Sequence, residues 1–109
     1  MANTSKNLYE GQLAATAAPN PALYTVPAST RTIVSEIILC ESSGNARTVT
    51  IRYNGDAASN NVYTALALAA NETLVLGHNT VLEAGDIIRA FASVAASVNM
   101  YVSGMEITA

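Results

Sequence analysis

His78 is the only histidine of the chain and Cys40 its only cysteine, so a Ser-His-Asp triad or a thiol nucleophile has one position each to draw on. His78 lies in Gly77-His78-Asn79, which reads as a turn, with no nucleophile motif beside it. Its expected role is that of a bystander. A single cysteine excludes an intrachain disulfide framework and any CxxC zinc or redox site, and Cys40 reads as a small buried hydrophobe. Asp56 and Asp86 each sit beside a glycine in a turn, where aspartate bonds its own backbone. A calcium loop needs several closely spaced oxygen ligands, and the segment NGDAASNN at 54–61 offers one carboxylate and some amides. These residues point to no catalytic centre, no metal and no cofactor.

The elements around them read as strands. Arg31 to Asn54, RTIVSEIILCESSGNARTVTIRYN, is expected to form the central hairpin of the fold, two β-branched strands turning at Glu41-Ser42-Ser43-Gly44-Asn45. Val49, Ile51 and Tyr53 alternate with Thr48, Thr50 and Arg52, so one face is buried and the other wet. Arg47 and Arg52 are then exposed and within reach of Glu36 or Glu41 across the hairpin. Ala22 to Val26 is a short strand before the turn at Pro27, and Val62 to Ala70 is assigned to strand despite its alanines and leucines. Thr73 to Leu76 and Val81-Leu82 are two short strands separated by the turn at His78. Glu83-Ala84-Gly85-Asp86 turns the chain into Ile87 to Val94, and Ser97 to Thr108 closes it, with Gly104 marking a bulge or a close backbone approach. About eight short strands at this spacing, and no amphipathic helix, predict an all-β antiparallel β-sandwich.

Met1 to Glu10 is polar and aperiodic, and reads as an extended N-terminal arm preceding a sandwich domain at 11–109, with Leu8 and Tyr9 as its anchors. The segment 11–18 is an edge strand or lead-in, ended by Pro19-Asn20-Pro21. The length of 109 residues suits one domain. Half of the residues are hydrophobic and only 12% are charged, with a net charge of −3, which leaves little repulsion to keep copies apart. A homo-oligomer or a subunit of a larger assembly is expected. On β-strand 87–94, Ile87, Arg89 and Phe91 share one face; hydrophobes on both sides of a charge suit contact with a neighbouring subunit. The five basic residues, Lys6, Arg31, Arg47, Arg52 and Arg89, form no run, so nucleic acid is not an expected partner. The N-terminus lacks a signal-peptide pattern and no apolar run reaches bilayer length, so synthesis in the cytoplasm and no membrane contact are expected.

Tyr24-Thr25-Val26-Pro27, Arg47-Thr48-Val49, the run from Leu82 to Ala90 and Val102-Ser103-Gly104 resemble small virion proteins of tailed bacteriophages. The resemblance covers most of the chain from Gly11 onward and rests on strands and turns. It implies a jelly-roll-like sandwich serving as a capsid decoration (cement), tail or fibre subunit, located in the virion, with a phage capsid or tail protein as partner and a trimer as the oligomer. Two function classes follow. In the favoured one the chain clamps capsid subunits through Leu8, Tyr9, Ile87, Arg89 and Phe91. In the other it is a tail or fibre receptor-binding module whose Tyr53, Tyr63 and the loop around Asn60 bind a glycan.

Overall fold

The described residues form eight strands, most of them set by alternating β-branched and aliphatic residues: β1 (Ala2–Gln12), β2 (Tyr24–Thr25), β3 (Thr30–Glu41), β4 (Arg47–Tyr53), β5 (Asn61–Leu68), β6 (Thr73–Leu82), β7 (Ile87–Ala92) and β8 (Val98–Thr108). They form two antiparallel four-stranded sheets, sheet A in the order β1-β8-β3-β6 and sheet B in the order β2-β7-β4-β5. Every link except that from β4 to β5 carries the chain from one sheet to the other, which is the wrapping of a jelly roll. The computed structural model describes residues 2–15, 23–54 and 58–108, apart from the side chains of residues 2, 58 and 78. The expectations placed on Asp56, on the His78 side chain and on Pro19-Asn20-Pro21 lie outside these residues.

The alternation along the inner strands also fills the core. Val34, Ile37, Leu39, Met100 and Val102 project inward from sheet A, and Val49, Ile51, Ile88, Ala90 and Ala92 meet them from sheet B. On β3 the inward parity switches from Thr32 and Val34 to Ile37 and Leu39, because Ser35 is an extra residue in a bulge between Val34 and Glu36. Gly104 stands opposite Val34 at this bulge, and a Cβ there would lie 2.2 Å from the Ile33 carbonyl oxygen. The close approach expected at Gly104 is present.

Three expectations are corrected. The pair 31–41 and 47–53 is no hairpin, since β3 belongs to sheet A and β4 to sheet B. A crossing between sheets needs the same reversing residues as a hairpin, so local composition does not separate them. Thr73 to Leu82 is one strand that pairs with β3 on both sides of its bulge, so no turn divides it at His78. The N-terminal segment is not an extended arm: β1 pairs with β8 from Ala2↔Thr108 to Gln12↔Asn99. Its polar residues are those of a sheet edge, where backbone pairing supplies the contact that side chains lack.

Two buried polar clusters fasten the layers. At one end, the Tyr24 hydroxyl donates to Glu106 Oε2 at 2.5 Å and lies 2.8 Å from Thr32 Oγ1, while Lys6 Nζ pairs with the same carboxylate at 3.3 Å. Strand β2 is thereby bonded across the core to β3 and β8. Burial, followed by the Glu106 carboxylate, pushes the Tyr24 phenol up to about 12. The folded state therefore favours the neutral phenol, and this contribution is complete below the ordinary value of 10.0 and is lost as pH rises through about 12.

At the other end, Glu41 closes the crossing from β3 to β4. Its buried carboxylate accepts from the amides of Ser43 (3.0 Å), Gly44 (2.8 Å), Asn45 (3.2 Å) and Asn71 (3.3 Å), and from the Ser43 hydroxyl. Burial alone would raise this carboxyl, but the hydrogen bonds from Ser43, Asn71 and Gly44 outweigh it and bring it down to about 2. A depressed carboxylate stabilises the fold above its ordinary value of 4.5, and that contribution is lost as pH falls through about 2. Chemical denaturation of Glu41→Gln should thus give a lower stability at pH 7 and a flatter loss of stability between these two pH values than the parent. An unchanged acid slope would mean that the carboxylate is not ionised in the turn.

Candidate interaction surfaces

Among the described residues no group of three His, Cys, Asp or Glu side chains could hold a metal ion, so the surfaces to consider are the outer faces of the two sheets. No helix among these residues is long and apolar enough to cross a membrane.

The outer face of sheet A follows from the register. Ile33 lies between Met105 and Val81, and Ile38 lies between Tyr101 and Val75, giving two apolar rows across three strands. Val75, Val81 and Tyr101 are 55%, 50% and 46% exposed. Between the rows stands Glu36, flanked by Ser103 and Gly77, and Glu10 borders the face on β1 beside Tyr101. Cys40, expected in the core, is half-buried on this outer face opposite Asn99 and Thr73, because the bulge at Ser35 turned it outward. This patch was readable in β8 as an alternation, but its continuation over β3 and β6 required the register.

The outer face of sheet B carries Ile87, Arg89 and Phe91, all half-buried, with Ile88, Ala90 and Ala92 turned into the core. The expected face thus exists, but it is knitted to its neighbours. Arg89 Nε donates to the Asn54 carbonyl at 3.0 Å. Arg52, placed in register with Arg89, donates from Nε to Asn61 Oδ1 at 2.7 Å and lies 5.0 Å from the centre of the Phe91 ring.

Arg52 was expected to be exposed and paired across a hairpin; it is 8% exposed, and Glu41 serves its own turn instead. A charged hydrogen bond and a cation–π contact together make Arg52→Ala cost about 2 kcal/mol, read as a lower urea midpoint at unchanged slope. Arg52→Lys keeps the charge but not the fork, and should fall between the two. An alanine variant as stable as the parent would show that these contacts are not formed in solution.

Leu8, expected as a contact residue, faces inward, and Tyr9 is half-buried. Leu8 occupies the bulge of β1 between Asn7 and Tyr9 and is 7% exposed, in the core, and Tyr9 packs against that core. Tyr53 is likewise buried, and its phenol is raised above its ordinary value by burial and then by Tyr63. Tyr63 is half-buried against the core. These rings do not form an open platform for a sugar. An open depression at one end of the sandwich is lined by Thr30, Arg31, Glu83 and Ile107, and its rim holds the exposed Arg31–Glu83 ion pair at 3.2 Å. Such a pair contributes about 0–1 kcal/mol.

No family model matches the chain, and no curated protein matches it. Among solved structures, the fold is similar to that of a protein from Bacillus endospore appendages, described as a novel family of disulfide-linked pili. The identity is 14% over 98% of this chain and 87% of that one, with a TM-score of 0.56. It is also similar to the Drosophila NLP core, studied for pentamer formation and histone binding, at 12% identity over 98% and 97% of the two chains, with a TM-score of 0.50. At these identities the likeness is one of fold.

Proposed function

We propose that this chain is a non-enzymatic structural subunit of a protein assembly, and more narrowly a decoration or cement protein that binds the assembled head of a tailed bacteriophage as a homo-oligomer. The observation that carries the reading is the pair of apolar rows on the outer face of sheet A, with Val75, Val81 and Tyr101 each about half exposed on a chain only 12% charged. Large side chains gathered on one sheet face, with few charges to solubilise them, suit a surface that a partner covers. The jelly roll supports the same reading, since this architecture builds capsid domains, and so does the resemblance of the strands and turns to phage virion proteins. A similar fold in a pilus protein is compatible with an assembly role and does not by itself supply one.

Localisation on the intact particle is the test. Gold-labelled antibody against the chain should decorate the head lattice of purified virions, and cryo-electron microscopy should place copies at regular capsid sites, three to a cluster if the oligomer is the trimer that the resemblance implies. Label confined to the tail would replace the cement reading with the tail or fibre reading. Absence from the particle would remove both.

A further inference from the structure

The centres of the two outer faces carry the same pattern with opposite charge. On β3, an inner strand of sheet A, Glu36 stands between Ile33 and Ile38, because the bulge at Ser35 returns it to the outward side. On β7, an inner strand of sheet B, Arg89 stands between Ile87 and Phe91. In each case the flanking hydrophobes lie one outward step, roughly 7 Å, from the charge. The acidic face adds Glu10 at its border, its one outward arginine on β3, Arg31, being paired with Glu83 at the end of the sandwich, and the basic face adds Arg52 beside Arg89. The outward positions described on the strands of sheet B hold no carboxylate.

We propose that sheet A of one copy stacks on sheet B of the next, with Glu36 opposite the partner copy's arginine face and the apolar rows on Ile87 and Phe91. The inference rests on the reading of the chain as an assembly subunit and names the surfaces that mate. A two-fold packing of sheet A on itself is disfavoured, because it brings Glu36 near its own symmetry mate among apolar neighbours. Front-to-back stacking instead sets Glu36, at the centre of one face, against the arginines at the centre of the other. Because the two faces lie on opposite sides of the sandwich, the contact is heterologous and propagates as a stack or closes as a ring. Sheet B sets the size: its strands hold 2, 6, 7 and 8 residues, which cover roughly 360 Å² in plan, below the size of a stable interface, so association is weak and depends on concentration.

Charge reversal separates this arrangement from the alternatives. In sedimentation velocity at low ionic strength, the full chain should grow in mass with concentration up to about 1 mM, the weak end of specific binding. Glu36→Arg places arginine on both faces and Arg89→Glu places glutamate on both, so each variant alone should remain monomeric while melting as a folded β-protein. Mixed in equal amounts, the two should associate again, as should the double variant by itself. Added salt should weaken all of these associations. A parent chain that stays monomeric throughout would overturn the proposal. So would an Arg89→Glu variant that associates like the parent while Glu36→Arg associates with the parent chain, which is the signature of sheet A packing on itself. Either result leaves the particle-localisation test standing, and absence from the particle leaves the mixing result standing.

Discussion

Gly104→Ala is expected to be the most damaging single substitution in the chain. The added Cβ would lie 2.2 Å from the Ile33 carbonyl oxygen and 3.1 Å from Leu8 Cδ1. The nearer atom belongs to the backbone of an inner strand, so it cannot rotate away as a flexible side chain would. Relief requires β8 to separate from β3, and β3 carries the bulge that sets which of its own residues face the core. Overpacking a core commonly costs 1–3 kcal/mol, and a clash with fixed backbone belongs at or beyond about 3 kcal/mol. For a domain of this size that lowers Tm by roughly 12 °C or more. Gly77→Ala is the control, because Gly77 is an exposed position on β6 with no heavy atom within 4 Å of its added Cβ. Its Tm should stay within a few degrees of the parent. Equal melting of the two variants would show that β3 and β8 are spaced more widely than the structure has them.

Removing residues 2–12 should abolish cooperative folding. These residues form the whole of β1, and their loss leaves one side of β8 without a partner along its length. It also withdraws Leu8, 7% exposed, from the core, and Lys6 from the Glu106 carboxylate that holds Tyr24. The leucine alone is worth about 2–5 kcal/mol by comparison with buried leucine truncations, against a total stability of about 5–15 kcal/mol for a domain. Leu8→Ala should therefore melt lower but still cooperatively, whereas the deletion should give a broad transition and rapid amide exchange along β8. A sharp melt of the truncated chain near the parent Tm would return residues 2–12 to the status of an arm.

The opposite expectation for this segment shows where local reasoning stops. Residues 2–12 are polar and aperiodic because an edge strand with one inward leucine has little apolar surface to show; what makes it a strand is the backbone of β8, nearly a hundred residues away in sequence. The alternation of Val49, Ile51 and Tyr53, the inward set Ile88, Ala90 and Ala92, the close approach at Gly104 and the all-β sandwich itself were legible, since each follows from a period of two or from a residue type demanded by its own backbone. The outward face of Ile87, Arg89 and Phe91 was legible for the same reason. The destination of each strand was not. The turn after Glu41 contains the same small and polar residues whether it closes a hairpin or crosses to the other sheet, and only the placement of β4 beside β7 and β5 decided it. The parity switch at Ser35 likewise came from pairing. It turned Cys40 and Glu36 outward and so composed the face of sheet A, because a bulge is defined by the strand opposite and not by its own residues. Arg52 reads as exposed in any period-two pattern, and it became buried through Phe91 and Asn61, which the sheet brought from strands on either side.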